Sequence, residues 1–367
     1  MLKLCLQFFR FLLMLVGVIS FNKCSSGYKK EGNKVIFNGK EVSPDVLVLN
    51  AVFAKNDSTA YFKNYTIAGV DIPTFIALDE HYAKDKNTVY YCDEYREGVN
   101  YYLTKRSAIS HIRDAHILSF TIISEGYAKD EKRAYFEGIG FDVQDLATLE
   151  VINARFVKDK TQVYFERKPI IGSDVKSFRV LNNYYAQDAQ RAYYYNFANE
   201  IYGGIHPIPC NSASFALLDY PYSKDNTSVF YVFDKMIDTD ASTFTILKNG
   251  YAKDAKSVFF ASKKIAEVDA ATFTVIMNPD AYSLEDACYG KDKANIFMKE
   301  KKLQVADIAS FKILGFSYTA DKQNVYYNGK IVKNADPNSF KLYPHDQGDE
   351  DAEDAKNKYS KGKKVGL

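Results

Sequence analysis

Eight aspartates stand at one place in a recurring phrase: Asp85, Asp130, Asp159, Asp188, Asp225, Asp254, Asp292 and Asp321. Each lies three residues after an aromatic, as in "YAKDKNTVYY" (82–91), "YAKDEKRAYF" (127–136) and "YAKDAKSVFF" (251–260). A row of carboxylates invites a calcium reading, but calcium needs several oxygen ligands close together. Each phrase supplies a single aspartate, most often beside a lysine, so no metal is expected. An aspartate at a turn entrance can instead bond its own backbone two residues on and close a hairpin loop. These eight are therefore expected to be turn-forming.

A second row sits five residues beyond the aspartates. Alternation along a strand places Tyr61, Tyr90, Tyr135, Tyr164, Tyr193 and Tyr326 on a common side, continued by Phe230, Phe259 and Phe297. A tyrosine row can stack on sugar rings or grip a protein, because the ring is apolar and the tip polar. The same row can equally pack against the next unit, and the three phenylalanines favour that. Both readings stay open here, with the tyrosines as the candidate binding residues.

Signals of catalysis are sparse. His111 and His116 lie five apart with no glutamate in a metalloprotease spacing, and "GIG" at 138–140 lacks the third glycine of a nucleotide loop. No nucleophile elbow, phosphate-binding loop or paired-cysteine motif is present. Neither an enzyme nor a cofactor is expected. Lys and Arg number 48 against 46 Asp and Glu, which argues against a nucleic-acid partner needing a basic stripe.

The elements that position these rows are repeated. With the opening aromatic as position zero, units begin at Tyr28, Phe53, Tyr82, Tyr127, Phe156, Tyr185, Tyr222, Tyr251, Tyr289 and Tyr318, and five of the nine intervals are 29 residues. Seven residues on, a small or branched apolar residue always follows, from Val35 to Val325. Asn56 and Glu31 replace the aspartate in the first two units. "NGK" at 38–40 and 328–330 offers the positive φ of a tight hairpin. "DIPTF" 71–75, "DVKSF" 174–178, "DASTF" 240–244, "DAATF" 269–273, "DIASF" 307–311 and "DPNSF" 336–340 place an aspartate four residues before a phenylalanine. That aspartate can cap a single helical turn, after which the phenylalanine opens an apolar strand. With 29 Tyr, 26 Phe and few 3.6-period patterns, strands are favoured over helices.

The expected fold is thus mainly all-β: tandem β-hairpin repeats of about 29 residues with one short capped helical turn each. No unit can bury its apolar face alone, so the units must stack, here read as an open superhelical array rather than a propeller. Insertions break the rhythm at 92–113, 196–212 and 277–288. They are either binding loops or neutral lengthening of exposed turns. From residue 344 the charge and scarcity of apolar residues predict a disordered tail, 344–367.

The first two dozen residues differ from the rest. Lys3 and Arg10 precede an uncharged apolar run and then a polar exit, the layout of a secretory signal over 1–24. An uncleaved anchor is the alternative. Cys24, followed by Ser25 and Ser26, looks like a bacterial lipoprotein junction, although Phe21, Asn22 and Lys23 are not the small residues that should precede it. Cys24 is accordingly the lipidation candidate. Cys92, Cys210 and Cys288 then remain, and an odd number predicts no disulfide framework.

The phrase written most fully at Asp85-Lys86-Asn87, then Thr88, Val89, Tyr90 and Tyr91, resembles the DKNYY family of bacterial exported or lipoprotein-like repeat proteins. The resemblance covers nearly all of 28–343, within a repeat domain set at 25–343. It implies an envelope-associated protein, at the outer membrane or in the periplasm, of a family without an assigned activity, and carries no catalytic residue across. The expected function is a non-enzymatic envelope scaffold that binds protein or glycan, held at the membrane by its N-terminal lipid or anchor. The alternatives are a purely structural component of the cell surface or, last, an enzyme with its site in the insertions.

Overall fold

A computed structural model describes residues 27–32, 34–42, 45–96, 106–196, 203–277, 288–343 and 350–365. The chain divides into two compact halves, Met1–Ile171 and Gly172–Leu367. Every element described is a short strand, a turn or a three-residue 3-10 segment. No helix among the described residues is long and apolar enough to cross a membrane.

One sheet explains the rest. Glu150–Asn153, Phe156–Lys158, Val163–Phe165 and Lys168–Pro169 form a four-stranded antiparallel meander in sequence order. Its first turn is closed by Asn153, whose Oδ1 accepts the N–H groups of Arg155 and Phe156 at 2.9 and 3.0 Å. The second is closed by Asp159, and the third is a tight hairpin. Where that hairpin reads Asn-Gly, both residues take positive φ: 48° and 78° at Asn38 and Gly39, 48° and 75° at Asn328 and Gly329. Such turns match the right-handed twist of the flanking strands. Eleven small sheets are built this way, the first with three strands and the others with four. Five lie in the first half and six in the second.

The core is divided between neighbours. Phe53, Ala60, Phe62 and Ile67 of one sheet meet Phe75, Ala83, Tyr90 and Cys92 of the next. In the second half Tyr222, Val229 and Met236 meet Phe244, Ala252 and Phe259 in the same way. Each sheet between the first and the eleventh therefore presents its opening aromatic on one face and its eighth-position ring on the other, and both faces need a partner. The phenylalanine of the DxxxF phrase is the wedge between them: the Phe273 ring lies 5.3 Å from Tyr251 and 6.1 Å from Phe297.

Two sequence expectations change here. Residues 350–365 are not a disordered tail: Ala352–Glu353, Lys358–Ser360 and Lys363–Lys364 pair with Lys341–Leu342 as an eleventh sheet. Its opening aromatic is replaced by Asp351 and its branched apolar residue by Lys358, so the outward positions read as polar and hide the repeat. Such an outward face is typical of a capping repeat. The first two insertions are partly strand: Val89–Tyr95 pairs with Arg106–Ile112, and Ala192–Asn196 with Gly204–Ile208. Residues 278–287 of the third lie outside the described residues, as does Cys24.

Candidate functional site: the aspartate–tyrosine junction

The recurring polar residues converge on one junction. Asp85 Oδ1 accepts the N–H groups of Asn87 and Thr88 at 2.7 and 2.9 Å, which closes its own hairpin turn. Asp85 Oδ2 accepts the Tyr90 hydroxyl at 2.7 Å and the Asp71 N–H at 2.7 Å, fourteen residues earlier. Asp130 takes Tyr135 and His116 N–H in the same way, and Asp159 takes Tyr164 and Asp145 N–H. Asp188 with Tyr193 and Asp321 with Tyr326 repeat it, and Asp354 with Tyr359 repeats it in the eleventh sheet. In the phenylalanine units Asp225, Asp254 and Asp292 lack the tyrosine hydroxyl but keep the N–H of the preceding turn, from Asn211, Asp240 and Asp269.

The acidity of these carboxyls follows from their donors. Burial pushes Asp159 up, but bonds from Thr161, Asp145 and Tyr164 outweigh it and hold its pKa at about 2. Asp354 is likewise held at about 2 against burial, by bonds from Tyr359 and three backbone N–H groups. Asp85, Asp130, Asp225, Asp292 and Asp321 are also lowered, with hydrogen bonds outweighing burial. On the partner side, burial first and then the charged acceptor push Tyr90 and Tyr135 up, and Tyr359 to about 12. Both oxygens of each aspartate face N–H or O–H donors, whose positive ends occupy the positions a calcium ion would need. No group of three or more metal-ligating side chains is gathered among the described residues.

The lysines of the phrase complete the clamp. Lys84 Nζ donates to Ile117 O at 2.9 Å, Lys129 to Leu146 O at 3.1 Å and Lys253 to Ala270 O at 3.1 Å. These carbonyls belong to the turn that precedes the next sheet. Each such turn is thus held at its N-terminal side by the aspartate that follows it and at its carbonyls by the lysine before it. The hydroxyl just before the wedge residue adds a third tie, as Thr74 Oγ1, before Phe75, accepts Lys86 N–H at 3.0 Å and Thr148 Oγ1, before Leu149, accepts Lys160 N–H at 3.0 Å. A second lysine pairs with the leading aspartate: Lys86 with Asp71 at 2.7 Å and Lys322 with Asp307 at 2.8 Å. These last pairs are exposed on the lysine side and contribute little.

The turn itself is a 3-10 segment at Ile72–Thr74, Leu146–Thr148, Ser212–Ser214 and Ile308–Ser310. Asp145, Asn211 and Asp307 accept backbone N–H bonds there as caps. Asp71 makes no such cap bond and takes the Thr74 hydroxyl instead.

The tyrosine row is interior, which corrects its reading as an open platform. Tyr90, Tyr135, Tyr164, Tyr193 and Tyr326 are at most 2% exposed, and Phe230, Phe259 and Phe297 are fully buried. The physical cause is the neighbouring rings: Phe120, in the wedge position, lies 5.2 Å from Tyr135, and Phe141, at the end of the preceding sheet, lies 6.1 Å from Tyr164, while each hydroxyl is engaged by its aspartate. Tyr61 alone is half-buried. Its partner in the junction is Asn56, whose amide offers one acceptor oxygen, and that oxygen closes the local turn.

Remaining candidates have local partners. His116 bonds Ser119 Oγ at 2.7 Å, His111 packs edge-on to Tyr90 at 4.8 Å, and His206 stacks on Phe233 at 4.4 Å. Cys92 and Cys210 are free thiols, and burial, then the Asp93 charge, pushes Cys92 up to about 12. A thiol so placed is a poor nucleophile. Sequence reasoning missed the carbonyl-clamping lysines and the Ser/Thr tie, although both stand at fixed places in the phrases.

Fold and junction together define a tandem repeat protein whose small antiparallel sheets are locked by Asp, Tyr and Lys side chains. The DKNYY family model matches residues 11–94, 53–197 and 222–364. The chain belongs to the DKNYY family. Neither the curated proteins nor the solved structures yielded a match.

Proposed function

We propose that this protein is a non-enzymatic repeat scaffold of the bacterial cell envelope that binds protein or glycan. The observation that carries the reading is the internal use of the recurring polar residues. The aspartates and tyrosine hydroxyls, and five of the lysines at the position after the opening Tyr-Ala pair or its equivalent, bond to one another or to backbone. That leaves the repeated phrase holding the sheets in place and the variable surface free to differ from unit to unit. In this reading the sheets continue as an open superhelical array, and ligand contacts lie on edges and lengthened hairpins.

Export and attachment through lipid on Cys24 are part of the proposal. Cys24→Ser should release the protein from the membrane fraction, and unchanged membrane association would contradict lipid anchoring. The binding claim is tested by presenting the exported chain to arrays of bacterial glycans and envelope proteins. Saturable binding of one ligand class supports it; no saturable ligand would contradict it and favour a purely structural component.

A further inference from the structure

Near-neutral overall charge conceals a strong local imbalance. In the second half, five successive sheets end on an exposed edge strand: Asp234–Lys235, Lys263–Lys264, Lys301–Leu303, Lys330–Ile331 and Lys363–Lys364. Their hairpins, 232–238, 261–267, 299–303, 328–334 and 361–365, hold eleven lysines against four carboxylates, Asp234, Asp238, Glu267 and Glu300. The whole chain carries a formal charge of only +2. In the first half the corresponding places hold Lys40-Glu41, Tyr65-Thr66, Ile139-Gly140 and Lys168-Pro169.

The hairpins are contiguous. Lys263 reaches Glu300 of the next hairpin at 3.5 Å, Lys302 reaches back to Glu267 at 3.0 Å, and Lys264 reaches back to Asp238 at 3.7 Å. A Cβ on Gly329 would lie 2.6 Å from Leu303, and one on Gly362 would lie 2.4 Å from Tyr327, so these hairpins too abut their predecessors. The lysines therefore form one ridge, with rungs about 10 Å apart if the sheets keep the usual stacking distance. The three ion pairs are exposed and weak, and they leave the ridge strongly cationic.

Lysines on edge strands also discourage edge-to-edge pairing. That duty does not require an excess of lysine on four consecutive edges, from Lys263–Lys264 to Lys363–Lys364, and the first half meets it without such a run. We propose that the ridge binds a linear anionic glycan, one whose carboxylate or sulfate groups repeat along the chain. This deepens the scaffold reading above and rests on it. The chemistry of the ridge favours that ligand over its rivals. The exposed large apolar residues on these hairpins are Ile237 and Ile331, both aliphatic. Single-stranded nucleic acid calls for exposed rings on which bases stack. A membrane surface calls for a broad face with aromatic or leucine side chains to insert, whereas this feature is one strand edge wide. Lysines act as point charges on flexible stems, suited to a chain of anionic groups without fixed fork geometry.

The experiment measures the full chain against a fluorescent heparin-derived oligosaccharide, with neutral dextran, single-stranded oligonucleotide and anionic-phospholipid vesicles alongside. The wild type should bind the anionic oligosaccharide and lose at least tenfold in affinity between low and high salt, since exposed charges are screened. Changing Lys263, Lys264, Lys301, Lys302, Lys363 and Lys364 to Gln should weaken binding at least tenfold while the melting temperature stays within a few degrees. The same change at six exposed lysines elsewhere, Lys29, Lys30, Lys40, Lys132, Lys168 and Lys176, should leave affinity within twofold. Equal losses in the two variants, or no binding by the wild type at low salt, would overturn the proposal. Tighter binding to oligonucleotide or vesicles would overturn the glycan assignment. Saturable binding of a neutral glycan or a protein, unaffected by the ridge variant, would sink the ridge and leave the scaffold reading intact.

Discussion

The Tyr90 hydroxyl donates to Asp85 Oδ2 at 2.7 Å, and that same oxygen accepts the Asp71 N–H at 2.7 Å. One carboxylate thus ties a hairpin turn, a buried ring and the turn leading into its sheet. The arrangement recurs with Asp130, Asp159, Asp188, Asp321 and Asp354. Because the ring of one sheet packs on the wedge phenylalanine before it, the bond couples secondary structure to stacking. The following predictions test that coupling.

Acid should loosen the array within a defined window. The folded pKa of Asp159 and Asp354 is about 2, below the ordinary value of about 3.9 for an unfolded aspartate. A lowered folded pKa gives stability that is present above the unfolded value and lost as pH falls through the folded one. Urea melts should therefore show a midpoint flat near neutrality and falling between about pH 4 and 2. A midpoint that stays level down to pH 2 would contradict the junction.

Three units carry phenylalanine where seven carry tyrosine. Phe259 is fully buried and stands five residues after Asp254. Phe259→Tyr should bring a hydroxyl to Asp254 Oδ2 and stabilise by about 1.5–3 kcal/mol, the usual net value of a hydrogen bond to a charged acceptor. A thermal melt checks it; a loss above 1 kcal/mol would show that this unit has no room for the junction.

Lys253 Nζ donates to Ala270 O at 3.1 Å beneath the 269–272 turn. Lys253→Met keeps the aliphatic stem and removes the donor, at an expected cost of about 1–2 kcal/mol for an unsatisfied carbonyl. Calcium chelation should not change the result. A chelator that lowered the wild-type melting temperature by many degrees would mean that the aspartates hold metal after all.

Much of this architecture is legible in the residues. The phase of the repeat, the turn role of Asp85 and its kin, and the strand character all follow from spacing and turn chemistry. The direction taken by the tyrosine ring does not, because period-two alternation says which residues share a face but not whether that face is covered. Phenylalanine at 230, 259 and 297 was the available hint. The eleventh unit is hidden because Asp351 and Lys358 stand where the other units carry an opening aromatic and a small or branched apolar residue, so its phrase reads as polar. The lysine clamp was invisible for a different reason: its acceptor is a backbone carbonyl seventeen or more residues away, as in Lys129 to Leu146 and Lys84 to Ile117, and no side-chain pattern marks it.

The eleventh sheet should act as a cap. Tyr359 and Ala352 cover Tyr318, Val325 and Val332, and Tyr318 Oη donates to Asp351 at 2.8 Å. A chain ending after residue 343 should melt several degrees lower and self-associate on size-exclusion chromatography, since an apolar sheet face is left open. A monomeric truncation with unchanged stability would contradict this role.

The most direct test changes Tyr90, Tyr135 and Tyr164 together to Phe, removing three hydroxyls while keeping the rings. Unfolding free energy and ligand retention are then measured on the same sample. If the row is a structural lock, stability falls by about 4.5–9 kcal/mol, at about 1.5–3 kcal/mol for each bond lost to a charged acceptor, and ligand retention below the melt is unchanged. Full stability with loss of ligand would show instead that the tyrosines form a binding site, and the account of the repeat given above would be wrong.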